Sequence, residues 1–496
     1  MGGEWVVSIE TVRFTLREAF GWLQAGTLHG RGDESIVGVA TDTRHLAPGQ
    51  LFVALRGERF DAHDFVLQAI REGVAAVVIE RPVPGLRGPA LIVPDARRAL
   101  GEIAAGWRRR HALPLIAVTG SNGKTTVKEM IASILRAHAG ESAAFATRGN
   151  LNNEVGVPQT LLALEPAHRI GVVELGMNHP GEIERLARFV RPAVALVNNA
   201  QREHQEFMDG PLATARENGS VFAALGDEGV AVFPADDIGT PTWRALASRV
   251  RTIEFGFANA TPGSPPPVHA PEDAKPGDFV ATLEGAAVRV SLSIGGRHNV
   301  LNALAAAACC HAIGVPAPTI AAGLGGFQPA SGRLKRVALD GARLLIDDSY
   351  NANPDSVRAA IDTLVDEAAP RVIVLGDMGE VGDQGPAFHR EVGEYARERG
   401  LEALIAVGDA SVEIARGFGE RAIHFPGVEA MLDALAANAT ALASIDAAHA
   451  TLVKGSRFMR MERVVAALVA RASCGAVRGA VGGAAGGAAG VLEAHH

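Results

Sequence analysis

The sequence is poor in cysteine and has no excess of positive charge, and each shortage excludes a class of protein. It has three cysteines in 496 residues, two of them adjacent (Cys309 and Cys310) and one near the C-terminus (Cys474). Three thiols in this arrangement make neither a disulfide framework nor a four-cysteine zinc site, so we expect a protein of the reducing cytoplasm. The net charge of −8 argues against a general nucleic-acid-binding surface.

Long apolar segments are also missing. Charges and prolines interrupt every apolar run before it reaches the ~20 residues that a membrane span needs, and residues 1–20 lack the apolar core of a signal peptide. We therefore expect no membrane span and no export signal. Residues 475–490 contain only Gly, Ala and Val with one Arg, which predicts a disordered tail over residues 472–496.

The length suggests two to four domains, since single domains usually have about 50–250 residues. Changes in pattern divide the chain into a small N-terminal α/β domain (1–111), a central domain with a parallel sheet (112–327) and a Rossmann-like, doubly wound domain (328–471). The predicted fold class is therefore α/β, in three domains. Residues 261–276 are rich in proline and are predicted to form an irregular surface segment.

The third block repeats one arrangement four times, an apolar run followed by a polar cluster. The pairs are 344–346 before 347–351, 372–375 before 376–377, 404–407 before 408–409, and 452–453 before 454–456. Ligands of doubly wound sheets bind outside the carboxyl ends of the strands. The four polar clusters are therefore expected to face one crevice.

The most informative motif is Thr-Gly-Ser-Asn-Gly-Lys-Thr-Thr at Thr119–Thr126, between a predicted strand (113–118) and a helical pattern that starts at Val127. In such a turn, backbone N–H groups bind phosphate oxygens, Lys124 neutralises β/γ-phosphate charge and the Thr125 hydroxyl ligates Mg²⁺. The motif predicts ATP and Mg²⁺ as ligands. The predicted ATP contacts here are Gly120, Ser121, Asn122, Gly123, Lys124, Thr125 and Thr126.

This motif departs from the general P-loop pattern, because Val118 stands where that pattern has glycine. Lysine, however, makes up only five of the 47 basic residues, which makes a chance Gly-Lys-Thr rare. The alternative is a strand-to-helix turn that merely needs glycines. The strand and helix patterns on either side favour the phosphate-binding interpretation.

Two further side chains follow predicted strands of the central block. Glu174 ends an apolar run and is a natural Mg²⁺ ligand; the alternative is a partly buried glutamate paired with an arginine. His204 follows the next strand, within 198–204, and is a candidate for a second metal or the phosphoryl group. A lone histidine in a loop is more often exposed without a role, so both interpretations of His204 stay open.

Amide-rich and basic segments supply the remaining candidates. Asn152 and Asn153 lie in the segment Gly149–Pro158 and would bind substrate phosphate or amide groups, or simply form an Asx-type turn. Lys454, in Lys-Gly-Ser-Arg, is one of the five lysines and is predicted to form a second small anion site, with a solvated charge as the alternative.

Together these motifs resemble the Mur ligase family, whose members are ATP-dependent amide ligases with three α/β domains. The matching segments follow the family's order along nearly the whole chain: 119–130, 149–158, 174–183, 296–306, 332–333, 348–354, 375–382 and 453–457. Within the family, Asp348–Pro354 and Asn150–Asn153 favour the branch that joins D-alanyl-D-alanine to UDP-N-acetylmuramoyl-tripeptide in peptidoglycan synthesis.

The resemblance implies roles for individual residues. Lys124, Glu174 and His204 are expected to be catalytic, and Thr125, Glu174 and His204 to hold Mg²⁺. Further ATP contacts are expected from Asn299, Arg333, Asp348 and Asn351. The expected substrate residues are Thr43, Arg44, Asp61, His63, Asn152, Asn153 and Lys454.

One departure from the family pattern concerns a lysine that members carbamylate to obtain an anionic group near the metals. Asn218 stands at that position, and no lysine is nearby. We hypothesise that the enzyme works without a carbamylated lysine. Either Glu217 or another carboxylate supplies the charge, or the second metal is held more weakly.

The implied reaction is ATP-driven amide formation by a monomer. The terminal carboxylate of the tripeptide attacks the γ-phosphate to give an acyl phosphate, and the amine of D-alanyl-D-alanine then displaces phosphate. The alternatives are a tripeptide-forming sister ligase or a folylpolyglutamate synthetase. A rival from another class is a module that hydrolyses ATP only to change shape, which leaves the amide-rich and third-block clusters unexplained.

Overall fold

The computed structural model describes residues 13–57, 60–203, 206, 208–339, 343–437 and 439–484, the last eleven of these by their backbone alone. Within this part of the chain, three main sheets lie one after another along the sequence, each inside one of the three predicted blocks. The α/β fold class is confirmed. The block boundaries themselves stay predictions.

The first domain has a sheet in the order β2-β7-β6-β5-β4, with β1 and β3 forming a separate antiparallel pair. Only β2 pairs antiparallel within the main sheet as described. Its elements are β1 (Phe14–Thr15), α1 (Leu16–Trp22), β2 (Thr27–His29), β3 (Ser35–Ile36), β4 (Gly38–Ala40), β5 (Gln50–Val53), α2 (Val66–Arg71), β6 (Ala76–Ile79), β7 (Ala90–Ile92) and α3 (Ala96–Arg108).

The central domain has a sheet of nine described strands in the order β16-β15-β14-β13-β12-β11-β8-β10-β9. Strands β8 to β14 are parallel. The central strands β8, β10, β11 and β12 are buried throughout and mostly apolar, as burial of both faces requires. The elements are β8 (Leu115–Thr119), α4 (Lys124–Ala139), β9 (Ala144–Ala146), α5 (Gly156–Leu162), β10 (Ile170–Glu174), α6 (Glu182–Val190), β11 (Val194–Val197), α7 (Gly210–Gly219), β12 (Val230–Pro234), α8 (Thr240–Leu246), β13 (Arg251–Phe257), β14 (Val268–Ala270), β15 (Asp278–Leu283), β16 (Ala286–Ser291), α9 (Arg297–Ala312) and α10 (Ala317–Gly325).

The sheet also corrects one prediction. Residues 261–276 are not wholly irregular, because β14 adds to the sheet edge as Val268–Ala270 and pairs with β13 and β15. Its three residues, with prolines close before it, are too few to show a strand pattern in the sequence.

The third domain has a sheet in the order β17-β18-β22-β19-β20-β21, in which β17 pairs antiparallel and the other strands are parallel. The four predicted apolar runs lie in β18, β19, β20 and β22. The elements are β17 (Lys335–Ala338), β18 (Leu344–Asp348), α11 (Pro354–Val365), β19 (Arg371–Gly376), α12 (Gly385–Glu398), β20 (Ala403–Val407), α13 (Val412–Phe418), β21 (Ala422–Phe425), α14 (Val428–Ala436), α15 (Ala443–Ala447), β22 (Ala450–Lys454) and α16 (Glu462–Ala484).

The last helix overlaps the segment predicted as a disordered tail, since α16 continues past residue 472 to Ala484. In the described part of the chain, no single helix is long and apolar enough to cross a membrane. One sharply bent pair, Val428–Ala436 with Thr440–Ala447, reaches the required length and hydropathy only when its two helices are counted together.

Candidate functional site

The phosphate-binding motif (119–126, here called the phosphate loop) connects β8 to α4, as predicted. Two of its positions must be glycine, because of their backbone angles and because neighbouring residues leave no room for a Cβ atom. Gly120 and Gly123 both have positive φ angles, 129° and 81°. A Cβ atom on Gly123 would lie 2.6 Å from Asn302 Oδ1 and 2.7 Å from Asn198 Nδ2. The loop is therefore held tightly from behind, and the N-terminus of α4 points into open space where an anion would be stabilised.

The Lys124 ammonium group is fully engaged by neighbouring protein groups. Its ammonium group donates to the Gly120 and Ser121 carbonyls at 2.6 and 2.9 Å and to both Glu203 carboxylate oxygens at 2.8 and 3.1 Å. An ammonium group has three donors. A phosphate can therefore bind Lys124 only by displacing one of these acceptors, and Glu203 is the one on a side chain.

Glu174, at the end of β10, faces the first turn of α4. Its Oε1 accepts from Asn152 Nδ2 at 2.8 Å and from Thr125 Oγ1 at 3.2 Å, while its Oε2 is buried without a partner in the described part of the chain. The side chain is 1% exposed. A buried carboxylate oxygen without a donor is costly, and together with the Thr125 hydroxyl it forms a pair of hard oxygen ligands that suits Mg²⁺.

Asn218 supports the phosphate loop through hydrogen bonds and carries no charge. It lies in α7 beneath the phosphate loop, fully buried, and its Oδ1 accepts from Thr119 Oγ1 at 2.7 Å and from Gly120 N at 3.1 Å. Glu217 instead accepts from the Gly181 and Ile183 N–H groups at the N-terminus of α6, at 2.8 and 3.0 Å. Glu217 is therefore engaged away from the phosphate loop, and the carboxylate that contacts Lys124 is Glu203.

The third domain contributes a buried ion pair. Lys454, at the end of β22, donates to Asp348 Oδ2 at 2.6 Å and to the Asn351 carbonyl at 2.7 Å. Burial raises the pKa of Asp348 above its ordinary value, although Lys454 opposes this. Lys454 is 4% exposed and already neutralised, so the structure shows a paired lysine where the sequence predicts a separate anion site.

Arg333 joins the third domain to the central one. Its Nη2 donates to Thr125 Oγ1 at 3.0 Å, and its guanidinium lies 4.1 Å from the centroid of the Tyr350 ring. The guanidinium thus stands beside the first helical turn after the phosphate loop. A positive charge there is well placed for phosphate oxygens.

Asn299 and its neighbours form an amide network behind the same cavity. Asn299 donates to the Gly295 carbonyl at 2.6 Å and accepts from Asn302 Nδ2 at 2.8 Å. Burial lowers the pKa of His298 to about 4, so the imidazole is neutral near pH 7 and its Nε2 can accept the contact from Asn299 Nδ2 at 3.1 Å. The network is uncharged and polar.

These groups surround one cavity of about 780 Å³ between the central and third domains, within the usual range for ligand pockets. Most of the predicted site residues line it; Gly120 does not, and His204 lies outside the described residues. The predicted residues that line the cavity are Ser121, Asn122, Gly123, Lys124, Thr125, Thr126, Asn152, Asn153, Glu174, Asn299, Arg333, Asp348, Asn351 and Lys454.

The side-chain amides of Asn152 and Asn153 make different hydrogen bonds. Asn152 binds Glu174, whereas Asn153 Oδ1 accepts from the Val155 and Gly156 N–H groups at 3.2 and 2.9 Å. Asn153 therefore forms the Asx-type turn that the sequence left open, at the start of α5.

The four residues predicted in the first domain lie away from this cavity. His63 is buried and uses both ring nitrogens internally: Nδ1 contacts Asp61 at 2.6 Å and Nε2 accepts from the Glu80 N–H at 2.9 Å. Hydrogen bonds, chiefly from the His63 N–H, lower the pKa of Asp61. Thr43 and Arg44 lie in a short 3₁₀ turn, where Arg44 pairs with Asp42.

The sequence interpretation missed the residues just before His204. We define residues 198–203, which follow β11, as the bridging loop. Its Asn199 and Gln201 hydrogen-bond the phosphate loop at Ser121 and Asn122, and Arg202 contacts the third domain. The only sequence signal was the density of polar side chains after a buried strand.

The comparisons with known proteins agree with this architecture. Three family patterns match successive parts of the chain: "Mur ligase family, catalytic domain" at residues 35–108, "Mur ligase middle domain" at 118–310 and "Mur ligase, glutamate ligase domain" at 332–457. The matches reach into all three main sheets.

Individual relatives extend over nearly the whole chain. The UDP-N-acetylmuramoyl-tripeptide–D-alanyl-D-alanine ligase of Escherichia coli (strain K12) is 40% identical over 90% of this chain and 97% of its own length. A crystal structure of MurF from Acinetobacter baumannii is 35% identical, covers 92% of this chain and 98% of that chain, and has a TM-score of 0.83. A folylpolyglutamate synthase of Mycobacterium tuberculosis, 15% identical with a TM-score of 0.58 over 76% of this chain and 93% of that one, shares the fold alone. The chain belongs to the Mur ligase family.

Proposed function

We propose that this protein is the ATP-dependent ligase that joins D-alanyl-D-alanine to UDP-N-acetylmuramoyl-tripeptide. The observation that carries the proposal is the cavity itself, with a phosphate loop on one wall and the Arg333, Asp348 and Lys454 side chains of the third domain on the other. The similarity of the full-length relatives to this chain supports the choice of substrates.

The first step is phosphoryl transfer to the tripeptide. An oxygen of its terminal carboxylate attacks the γ-phosphorus of ATP, the bond to the bridging oxygen breaks, and ADP leaves. Lys124 would exchange Glu203 for phosphate oxygens, and the N–H groups at the start of α4 would bind the remaining phosphate charge. Arg333 would approach the same phosphates from the third domain.

The second step forms the amide. The amine nitrogen of D-alanyl-D-alanine attacks the acyl carbon, phosphate leaves and the nitrogen loses a proton. No protein nucleophile is needed, because the positioning of the reactants and the neutralisation of their charge suffice. The walls of the cavity would keep water from the acyl phosphate.

Mg²⁺ fits the residues that are present. Thr125 Oγ1 and Glu174 Oε2, which has no partner among the described residues, would hold it, and His204 stays a predicted ligand outside them. A bound Mg²⁺ would neutralise charge on the β- and γ-phosphates. In the first domain, Thr43 and Arg44 offer surface groups for the UDP-sugar, whereas Asp61 and His63 shape their own turn. A cytoplasmic location and a monomeric state stay predictions.

The proposal is tested by mass spectrometry of the product together with phosphate release. Purified protein is given ATP, Mg²⁺, D-alanyl-D-alanine and the tripeptide nucleotide with either diaminopimelate or lysine at its third position. We expect one phosphate released for each dipeptide added, with one of the two tripeptides preferred. Addition of a single amino acid instead would favour a sister ligase, and phosphate release without a ligated product would favour a shape-changing ATPase.

A further inference from the structure

Arg202 of the bridging loop makes a dense set of contacts with the third domain. Its guanidinium donates to Asp355 at 2.6 and 3.0 Å and to Glu391 at 2.7 and 3.0 Å, and its backbone N–H donates to Asp355 at 2.9 Å. The guanidinium also lies 5.1 Å from the centroid of the Phe388 ring. Asp355 lies in the first turn of α11, and Glu391 and Phe388 lie in α12, so one side chain holds two helices.

These contacts are more than an exposed surface pair. The Arg202 side chain is 23% exposed, and Asp355 and Glu391 are 22% and 31% exposed. Paired, partly buried guanidinium–carboxylate contacts fix geometry as well as charge. Arg202 is thus bound in one orientation relative to the third domain.

The residues on either side of Arg202 bind the phosphate loop instead. Gln201 N donates to Ser121 Oγ at 2.9 Å, and Asn122 Nδ2 donates to Gln201 Oε1 at 2.6 Å. Glu203 accepts from Lys124. Three consecutive residues therefore connect the loop that would bind phosphate with the domain that forms the opposite wall of the cavity.

We propose that Arg202 is a positioning residue that sets the third domain in register with the phosphate loop. Its side chain does not line the cavity. Its contacts keep Arg333, Asp348 and Lys454 at the distance from Lys124 that the reaction needs, so its loss misplaces one wall of the cavity. The proposal rests on the proposed function for its kinetic consequence only.

The test compares Arg202→Ala with Arg202→Lys and with the control Arg358→Ala. Arg358 also contacts Glu391, at 3.0 Å, and stacks on Tyr395, but all these contacts lie inside the third domain. Removing Arg358 therefore takes an arginine from Glu391 without breaking the connection between domains.

We expect Arg202→Ala to lower kcat for ligation by about 10- to 100-fold, between the small effect of losing an exposed charge pair and the large effect of truncating a buried one. The dissociation constant for ADP should change less, since the phosphate loop itself is intact. Arg202→Lys should recover part of kcat, because lysine keeps the positive charge but lacks the planar guanidinium that donates to both carboxylates. Arg358→Ala should keep kcat within about twofold of the wild type, because the contacts of Arg202 between the two domains stay in place.

Small-angle scattering supplies a readout that does not depend on the reaction. With ADP bound, the radius of gyration of Arg202→Ala should exceed that of the wild type and of Arg358→Ala. If the wild type ligates nothing while this difference appears, the proposed function fails and the positioning role stands. If Arg202→Ala does not fold, the double variant Asp355→Asn with Glu391→Gln removes the same contacts from the other side. Wild-type kcat and an unchanged radius of gyration in whichever variant folds would overturn the proposal.

Discussion

Replacing Asn218 by alanine is the sharpest test of how the phosphate loop is held. The backbone N–H of Gly120 can only donate, so it requires an oxygen, and this fixes Asn218 Oδ1 towards the loop at 3.1 Å. The same oxygen accepts from the Thr119 hydroxyl at 2.7 Å. Both donors are buried, and alanine would leave them without this acceptor.

The magnitude follows from three contributions. Each buried donor left without a partner costs ~1–3 kcal/mol, although the Thr119 hydroxyl can rotate away from part of that cost. Against this, Asn218 Nδ2 is buried without a partner in the described residues, so its removal returns ~1 kcal/mol. The net destabilisation should be ~1–3 kcal/mol, a fall in Tm of roughly 2–12 °C for a domain of this size.

A second substitution separates the support of the loop from its charge. Asn218→Asp keeps an acceptor for both donors but buries a negative charge behind the loop that binds phosphate. We expect Asn218→Asp to weaken ADP binding more than Asn218→Ala does, because the new charge repels phosphate in a region of low dielectric.

The assays are the thermal unfolding of each variant and the titration of ADP by calorimetry. Multi-domain chains seldom unfold in one step, so the transition that ADP shifts is the one to compare. Wild-type Tm and ADP affinity in Asn218→Ala would refute the supporting role of this amide. A carbamate-bearing residue seen in a high-resolution structure would separately refute the hypothesis that the enzyme works without a carbamylated lysine.

Three further predictions concern the charged groups. Lys124→Ala should fold normally and lose about 10²-fold or more in ligation rate, the usual loss for one preorganised charge contact, while the exposed control Lys335→Ala should ligate at the wild-type rate. Glu203→Gln should bind ADP about fivefold more tightly, because phosphate no longer has to break an ion pair between Lys124 and Glu203 that contributes ~1 kcal/mol. Equal or weaker binding in calorimetry would contradict this. Hydrogen bonds, chiefly from Arg202, lower the pKa of Glu391 from its ordinary value near 4.5. The contact between Glu391 and Arg202 is therefore complete above pH 4.5 and is lost as the pH falls through the lowered pKa. The radius of gyration measured by scattering against pH should show this change, and Glu391→Gln should abolish it.

Much of the fold could be predicted because buried parallel strands leave continuous apolar runs. The apolar run that ends at Glu174 is β10, Ile170–Glu174, and the strand predicted before His204 is β11, Val194–Val197. Val118 shows the same rule in the phosphate motif: it lies in the buried strand β8, paired with neighbours on both sides. A glycine is therefore not needed there, which explains the departure from the general pattern.

Side-chain chemistry and the family resemblance together supplied the predicted site residues, and both give the location of a residue better than its role. Lys454 and Asp348 both line the cavity, yet each neutralises the other. Asn153 also lines the cavity, but its amide oxygen serves a turn. For Asn153 the partners are local and the sequence already offered the turn, whereas Lys454 and Asp348 are far apart in sequence, and no local pattern contains their pairing.

In the bridging loop, consecutive residues contact the phosphate loop and the third domain in alternation, and this pattern is present in the sequence. Gln201 and Glu203 contact the phosphate loop and Arg202, between them, contacts the third domain. Alternation of this kind arises when neighbouring side chains point to opposite sides of a chain that passes between two surfaces. The register of the loop is then as important as its charges, because a one-residue shift would turn Arg202 towards Lys124 and Glu203 towards Asp355, placing like charges together on both sides. An insertion or deletion before Arg202 should therefore harm ligation more than the loss of any one of the three side chains.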